Sequence, residues 1–229
     1  MYVLHKKQIV FMCLALVFSI SYFSFREPNI LPTSSTPVTG HTIVLDAGHG
    51  APDGGAQSNS GVSEASINLN IILKLQELLE SSNCNVILTR SDENGIFDAD
   101  AKKKKASDLK NRTDIINNSG ADIVVSVHLN KISGEQYYGW QSFYQKNNEQ
   151  SKNLASLIQS NLNYYIDRKN KRTILPLSNI YLMDNSKLPT VTIECGFLSN
   201  AEDTTLLQTD EYQNNIAWGI YAGIMDYFK

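Results

Sequence analysis

Short β-branched runs alternate with segments of helical period along most of this chain, and that alternation admits few folds. Thr42 to Asp46, Asn85 to Thr89, Asp122 to Val127, Trp140 to Tyr144, Ile180 to Met183 and Thr190 to Glu194 each read as strands. Ile67, Ile71, Leu75 and Leu78 share one helical face, with Ser63 as the expected N-cap. A second helix is expected near Ser107 to Asn118. Leu154, Leu157, Ile158, Leu162 and Tyr165 mark a third, and Tyr212, Ile216, Ile220 and Ile224 a last one. The order βαβαββαββα predicts a single α/β domain with a mixed, mostly parallel sheet flanked by helices. There is no internal repeat.

The N-terminal part differs in kind. Lys6 and Lys7 precede an apolar run from Ile9 to Phe25, interrupted only by serines. As a helix this run would rise about 26 Å, slightly short of a hydrocarbon core of about 30 Å. Residues 1–27 therefore read as a signal anchor or signal peptide. The lack of an Ala-x-Ala cleavage site favours the anchor. The positive flank would keep the N-terminus cytoplasmic and put the domain outside the membrane. Residues 28–40, with Pro28, Pro32 and Pro37, read as a linker, and residues 41–229 as the domain.

Charge narrows the partners. The chain of 229 residues carries a net charge of -3. Residues 1–27 hold three basic residues and one acidic residue, which leaves 17 basic and 22 acidic residues beyond them. A mildly acidic domain is a poor match for nucleic acid. The run Lys102 to Lys105 reads as a solvated stretch, or as an attractor for an anionic wall or membrane. Cys84 and Cys195 show no metal or disulfide spacing and read as buried thiols.

Four residues stand out as chemical candidates. His49 lies just past a strand between Gly48 and Gly50, where α/β folds place ligands; the plain alternative is a histidine in a surface turn. His128 ends a second apolar run, and continued extension puts Ser126, His128 and Asn130 on one face. A satisfied core histidine is the competing reading. Glu64 opens a helix, where a carboxylate commonly just complements the helix dipole. Glu194 ends the run Pro189-Thr-Val-Thr-Ile-Glu194, a place suited to a general base and acid, or to capping a neighbouring amide. Two imidazoles and one carboxylate would bind zinc and leave a position open, as catalytic zinc sites do.

Five ordered segments carry a family resemblance: Val44-Leu-Asp-Ala-Gly-His-Gly50, Gly61-Val-Ser-Glu64, Leu88-Thr-Arg90, Ser126-Val-His-Leu-Asn130 and Ile193-Glu-Cys-Gly-Phe-Leu-Ser-Asn200. Through them the chain resembles the zinc-dependent N-acetylmuramoyl-L-alanine amidases of the amidase_3 family, whose fold is phosphorylase/hydrolase-like. The resemblance implies that His49, Glu64 and His128 bind zinc and that Glu194 is the catalytic acid/base. It also implies hydrolysis of the amide between the lactyl group of N-acetylmuramic acid and L-alanine in peptidoglycan. Ala47 and Ala65 stand where the family often has Pro and Lys; neither position is a ligand. The span from His128 to Glu194 is too short for the inserted helix that blocks the site in some regulated relatives. An N-terminal anchor with a bare catalytic domain resembles the spore-cortex amidases of the CwlD type. That likeness implies muramic lactam formation in the cortex, an extracytoplasmic place between the two forespore membranes, and room for a protein activator. Two rival readings are a catalytically silent, membrane-tethered wall-binding protein and a zinc peptidase of the stem peptide.

Overall fold

The computed structural model describes residues 35–229; the expected N-terminal anchor lies outside the described residues. Among the described residues no helix is long and apolar enough to cross a membrane. Twelve elements follow in order: β1 (Thr42–Ala47), α1 (Glu64–Ser81), β2 (Asn85–Leu88), α2 (Lys104–Asn118), β3 (Ile123–Asn130), β4 (Gln141–Gln145), α3 (Glu149–Tyr165), β5 (Leu175–Leu177), α4 (Tyr181–Asn185), β6 (Thr190–Phe197), α5 (Ala201–Leu207) and α6 (Asp210–Tyr227).

The strands form one sheet in the order β2-β1-β3-β6-β4-β5. Strands β2, β1, β3 and β6 run parallel, and β4 runs antiparallel to β6. This is the mixed, mostly parallel sheet expected from the alternation. Both faces are covered, which is why β1 and β3 are nearly continuous apolar runs. On one face Leu45, Val125, Val191 and Ile193 pack under Ile71, Leu75, Ile158, Leu162, Ile216 and Ile220 of α1, α3 and α6. On the other, Val44 and Val124 meet Ile116 of α2 and Leu182 of α4 in a smaller cluster.

Two expectations need correction, the Ser63 cap is met in position only, and one element is new. Ile180 to Met183 is not a strand; residues 181–185 form the short helix α4. A run of four apolar residues does not distinguish helix from strand by period. Here the edge of β4 is already paired with Leu175–Leu177. The turn is pinned instead by Gln145, whose Nε2 donates to the Met183 carbonyl at 3.0 Å. Helix α2 starts at Lys104, earlier than expected, so half of the lysine run is helical. Ser63 occupies the N-cap of α1 but makes no cap bond; its hydroxyl donates to the Gly54 carbonyl at 2.9 Å. A short helix, α5, was not expected at all; Asn200 caps it by accepting from the Asp203 amide at 2.9 Å.

The approach to the domain is packed. Val38 is fully buried, and the Thr36 hydroxyl donates to the Ser82 carbonyl at the C-terminal end of α1 at 2.7 Å.

Candidate active site

Parallel neighbours bring the candidates to one edge. β1 and β3 end side by side, with Ala47 opposite Val127, so the residues after them share that edge. His128 is in register with Glu194 across β3 and β6. Both side chains, with Ser126, Thr192 and Asp46, line one cleft of about 150 Å³. The sheet's periodicity thus makes Ser126, His128, Thr192 and Glu194 a polar strip at the mouth of an apolar sheet.

His49, Glu64 and His128 converge. Each offers one ligating atom, and these atoms lie within 4.8 Å of one another. Glu64 Oε1 sits between the rings, 3.2 Å from His49 Nε2 and 3.1 Å from His128 Nδ1. The backbone amide of Leu129 donates to the same oxygen at 3.0 Å, and the Ala56 amide donates to Oε2 at 2.8 Å. Burial raises the Glu64 pKa, but the hydrogen bonds and charges of His128 and His49 outweigh it and hold the carboxyl well below the usual range. Burial works against the charged form of His128, yet its bond to Glu64 and the charge of Glu194 raise its pKa.

The loop after β1 is shaped to present His49. His49 has φ 64°, a left-handed conformation uncommon for residues other than glycine. A β-carbon on Gly48 would fall 2.3 Å from the His128 ring, and one on Gly55 would fall 2.7 Å from Glu64 Oε2. Only glycine lets the three side chains close at these two positions.

Two buried arginines lock that loop. Arg90 Nε donates to the Ala47 carbonyl at 2.9 Å, and its Nη2 donates to the Gly48 carbonyl at 3.0 Å. Arg112 Nη1 donates to the Ala47 carbonyl at 2.6 Å, and its Nη2 donates to the His49 carbonyl. Arg112 also pairs with Asp46 at 2.8 Å and with Asp108 at 2.6 Å, all deeply buried. Burial pushes the Asp46 carboxyl up, while Arg112, Ser126 and Thr89 pull it down further, to about 2. On the outer side Asp53 Oδ2 lies 3.2 Å from His49 Nδ1, leaving Nε2 for the centre. Such a carboxylate fixes a ligand histidine's tautomer and orientation. Lys105, from the lysine run, reaches Asp53 at 3.0 Å.

Glu194 is built differently. Burial pushes its carboxyl up to about 7; the charge of Glu64 adds to this, while His128 and His49 oppose it. Its Oε2 is buried and finds no hydrogen-bond partner among the described residues. Cys195 points to the opposite face, into the core, and burial raises its thiol pKa far above the ordinary value. It is no nucleophile.

Asp46, Asp53, Asp108 and Arg112 do not stand out in the sequence as parts of the site. Asp46 and Arg90 do fall within the quoted family segments. Asp108 and Arg112 look like an ordinary i,i+4 pair on a polar helix.

Comparison with known proteins decides the family. Residues 43–226 match the family described as Amidase_3, N-acetylmuramoyl-L-alanine amidase. The chain belongs to this family. It is 35% identical over 212 residues to the germination-specific N-acetylmuramoyl-L-alanine amidase of Bacillus subtilis, covering 90% of this chain and 87% of that protein. The CwlD amidase from Clostridioides difficile, solved in complex with the GerS lipoprotein, superposes with a TM-score of 0.79 and 46% identity, covering 82% of this chain and 98% of that one. The catalytic domain of CwlV from Bacillus (Paenibacillus) polymyxa superposes with a TM-score of 0.71 and 30% identity, covering 82% and 97%.

Proposed function

We propose that this amidase_3 enzyme is a zinc-dependent N-acetylmuramoyl-L-alanine amidase of peptidoglycan that acts in the spore cortex. The observation that carries the reading is the meeting of two imidazoles and one carboxylate beside a buried carboxylate oxygen without a partner. Imidazole nitrogen and carboxylate oxygen both suit zinc, and three protein donors leave room for substrate. His49 through Nε2, His128 through Nδ1 and Glu64 through Oε1 would hold the ion. When bound, zinc supplies a Lewis acid that activates water and polarises the scissile carbonyl.

The rest of the reaction falls to this chain. Glu194, in register with His128, accepts a proton from the attacking water. It then delivers that proton to the L-alanine nitrogen, which leaves as a neutral amine. A carboxyl pushed up to about 7 suits both halves of this transfer near neutral pH. Asp53 orients His49, and Arg90 and Arg112 hold the loop that carries it. The products are bare muramoyl glycan and free stem peptide.

The cortex role rests on likeness to the germination-specific enzyme and to the CwlD amidase. The enzyme works outside the cytoplasm, tethered through its N-terminal segment. The CwlD structure contains a lipoprotein, which supports a protein partner here as well. Digestion of purified peptidoglycan with the full chain, analysed by mass spectrometry, tests the reaction. Release of stem peptides beginning with free L-alanine, abolished by a chelator and restored by zinc, is the expected result. Cleavage within the stem would establish a peptidase instead. Wall binding with no products, in saturating zinc and with the partner lipoprotein, would leave a silent binding protein.

A further inference from the structure

We infer that Arg172 is a specificity residue that reads the free carboxylate of the stem-peptide residue following L-alanine. The inference rests on the amidase reading above and deepens it.

On the same face of the sheet, polar side chains continue past Glu194, beyond the cleft itself. Gln141 of β4 is the antiparallel partner of Glu194, and directly paired residues put their side chains on the same face. Gln141 is buried, and its Oε1 accepts from Arg172 Nη1 at 3.2 Å. His128, Glu194 and Gln141 therefore form one row across the sheet, and Arg172 is bonded to the last of them.

Arg172 is held as a ready-made anion receptor. Its Nε donates to the Tyr138 carbonyl at 3.0 Å, and its guanidinium lies 4.2 Å from the centroid of the buried Phe197 ring. Its backbone is fixed too: the amide donates to Asn170 Oδ1 at 3.2 Å, and the carbonyl accepts from Gln159 Nε2 at 3.3 Å. Nη2 has no partner among the described residues, so donor capacity remains on a stacked, half-buried, immobilised fork. In the same loop, Arg168 is already engaged, bound to Asp203 and Glu202. A planar guanidinium with open donors on an aromatic face is suited to a carboxylate more than to a neutral amide.

The spacing fits the substrate. One strand separation, about 4.8 Å, lies between Glu194 and Gln141, with Arg172 just beyond. One residue of extended chain spans about 3.5 Å. Beyond L-alanine, the N–Cα and Cα–C bonds of the next residue, a γ-linked D-glutamate, add up to about 3 Å, so with the scissile nitrogen at Glu194 its free α-carboxylate would reach past Gln141 towards Arg172. Where that carboxylate is amidated, Arg172 would face a neutral group and lose the charge-assisted bond.

The test uses the full chain with zinc and two synthetic muramoyl peptides that differ only in D-glutamate against D-isoglutamine. Wild type is expected to prefer the acid in kcat/KM by about tenfold or more, mainly through KM. In Arg172→Gln the ratio should fall towards one, and Arg172→Lys should recover part of it. The ratio is internal to each preparation, so partial misfolding of a variant does not move it. A wild-type ratio near one, or the same ratio in Arg172→Gln, would overturn the inference while the amidase reading stands. Turnover of neither peptide by wild type, in saturating zinc and with the partner lipoprotein added, would overturn both.

Discussion

The two sides of the site are built on opposite plans. On the β1 side, every group around His49 is fixed: two guanidinium groups bind three consecutive carbonyls, and Asp53 holds the outer ring nitrogen. On the β6 side, Glu194 is buried with an oxygen left without a partner. The first arrangement suits a group that must stay still and be deprotonated. The second suits a group that must gain and lose a proton. Full satisfaction pulls Asp46 and Glu64 down, whereas desolvation with an unmade bond pushes Glu194 up to about 7. Rigidity and reactivity are thus separated by the width of one strand pair, between His128 and Glu194.

If the β1 side is a rigid frame, cutting it should be costly. Arg112→Met leaves Asp46 and Asp108 buried without their cation, and a loss of about 3–5 kcal/mol is expected in urea unfolding. Zinc affinity should fall with it. A loss under about 1 kcal/mol would mean that Arg90 alone holds the loop.

Acid should break the same side next. The Asp46 pKa is depressed from 3.8 to about 2 on folding, so its contribution is complete above pH 4 and disappears as pH falls towards 2. That contribution is about 2 kcal/mol. Asp46→Asn should flatten the stability profile between pH 4 and 2. An unchanged slope would place the acid-sensitive group elsewhere.

The outer support should have the smallest effect. Asp53→Asn keeps the loop but weakens the orientation of His49, and zinc affinity should drop about 10–100-fold with little change in melting temperature. Competition against a zinc-binding dye measures it. Unaltered affinity would assign Asp53 to Lys105 alone.

How much of this was legible in the sequence follows from the same contrast. His49, Glu64, His128 and Glu194 can be nominated because each follows an apolar run or starts a helix, where a polar residue is conspicuous, although β3 and β6 in fact run on past His128 and Glu194. Most of the sheet can be anticipated because β1, β2, β3 and β6 carry β-branched residues and helical segments separate β1, β2 and β3; β5, a Leu-Pro-Leu segment, gives no such signal. The frame was hidden. Asp108 and Arg112 lie four apart on a helix, a spacing that solvated pairs share, and only the fold turns that face inward. Arg172 sits in a basic loop among Lys169, Lys171 and Arg168, and its stacking on Phe197 depends on contacts far apart in sequence. α4 was misread because its apolar residues pack by tertiary contact with Gln145 and α2, which no local period encodes.

The division of labour itself is tested most directly by Glu194→Gln, with zinc content and stem-peptide release measured on the same sample. Zinc content equal to that of the unsubstituted chain is expected, with release slowed about 10²–10⁴-fold. A variant that keeps near-normal release, or one that loses its zinc, would contradict it.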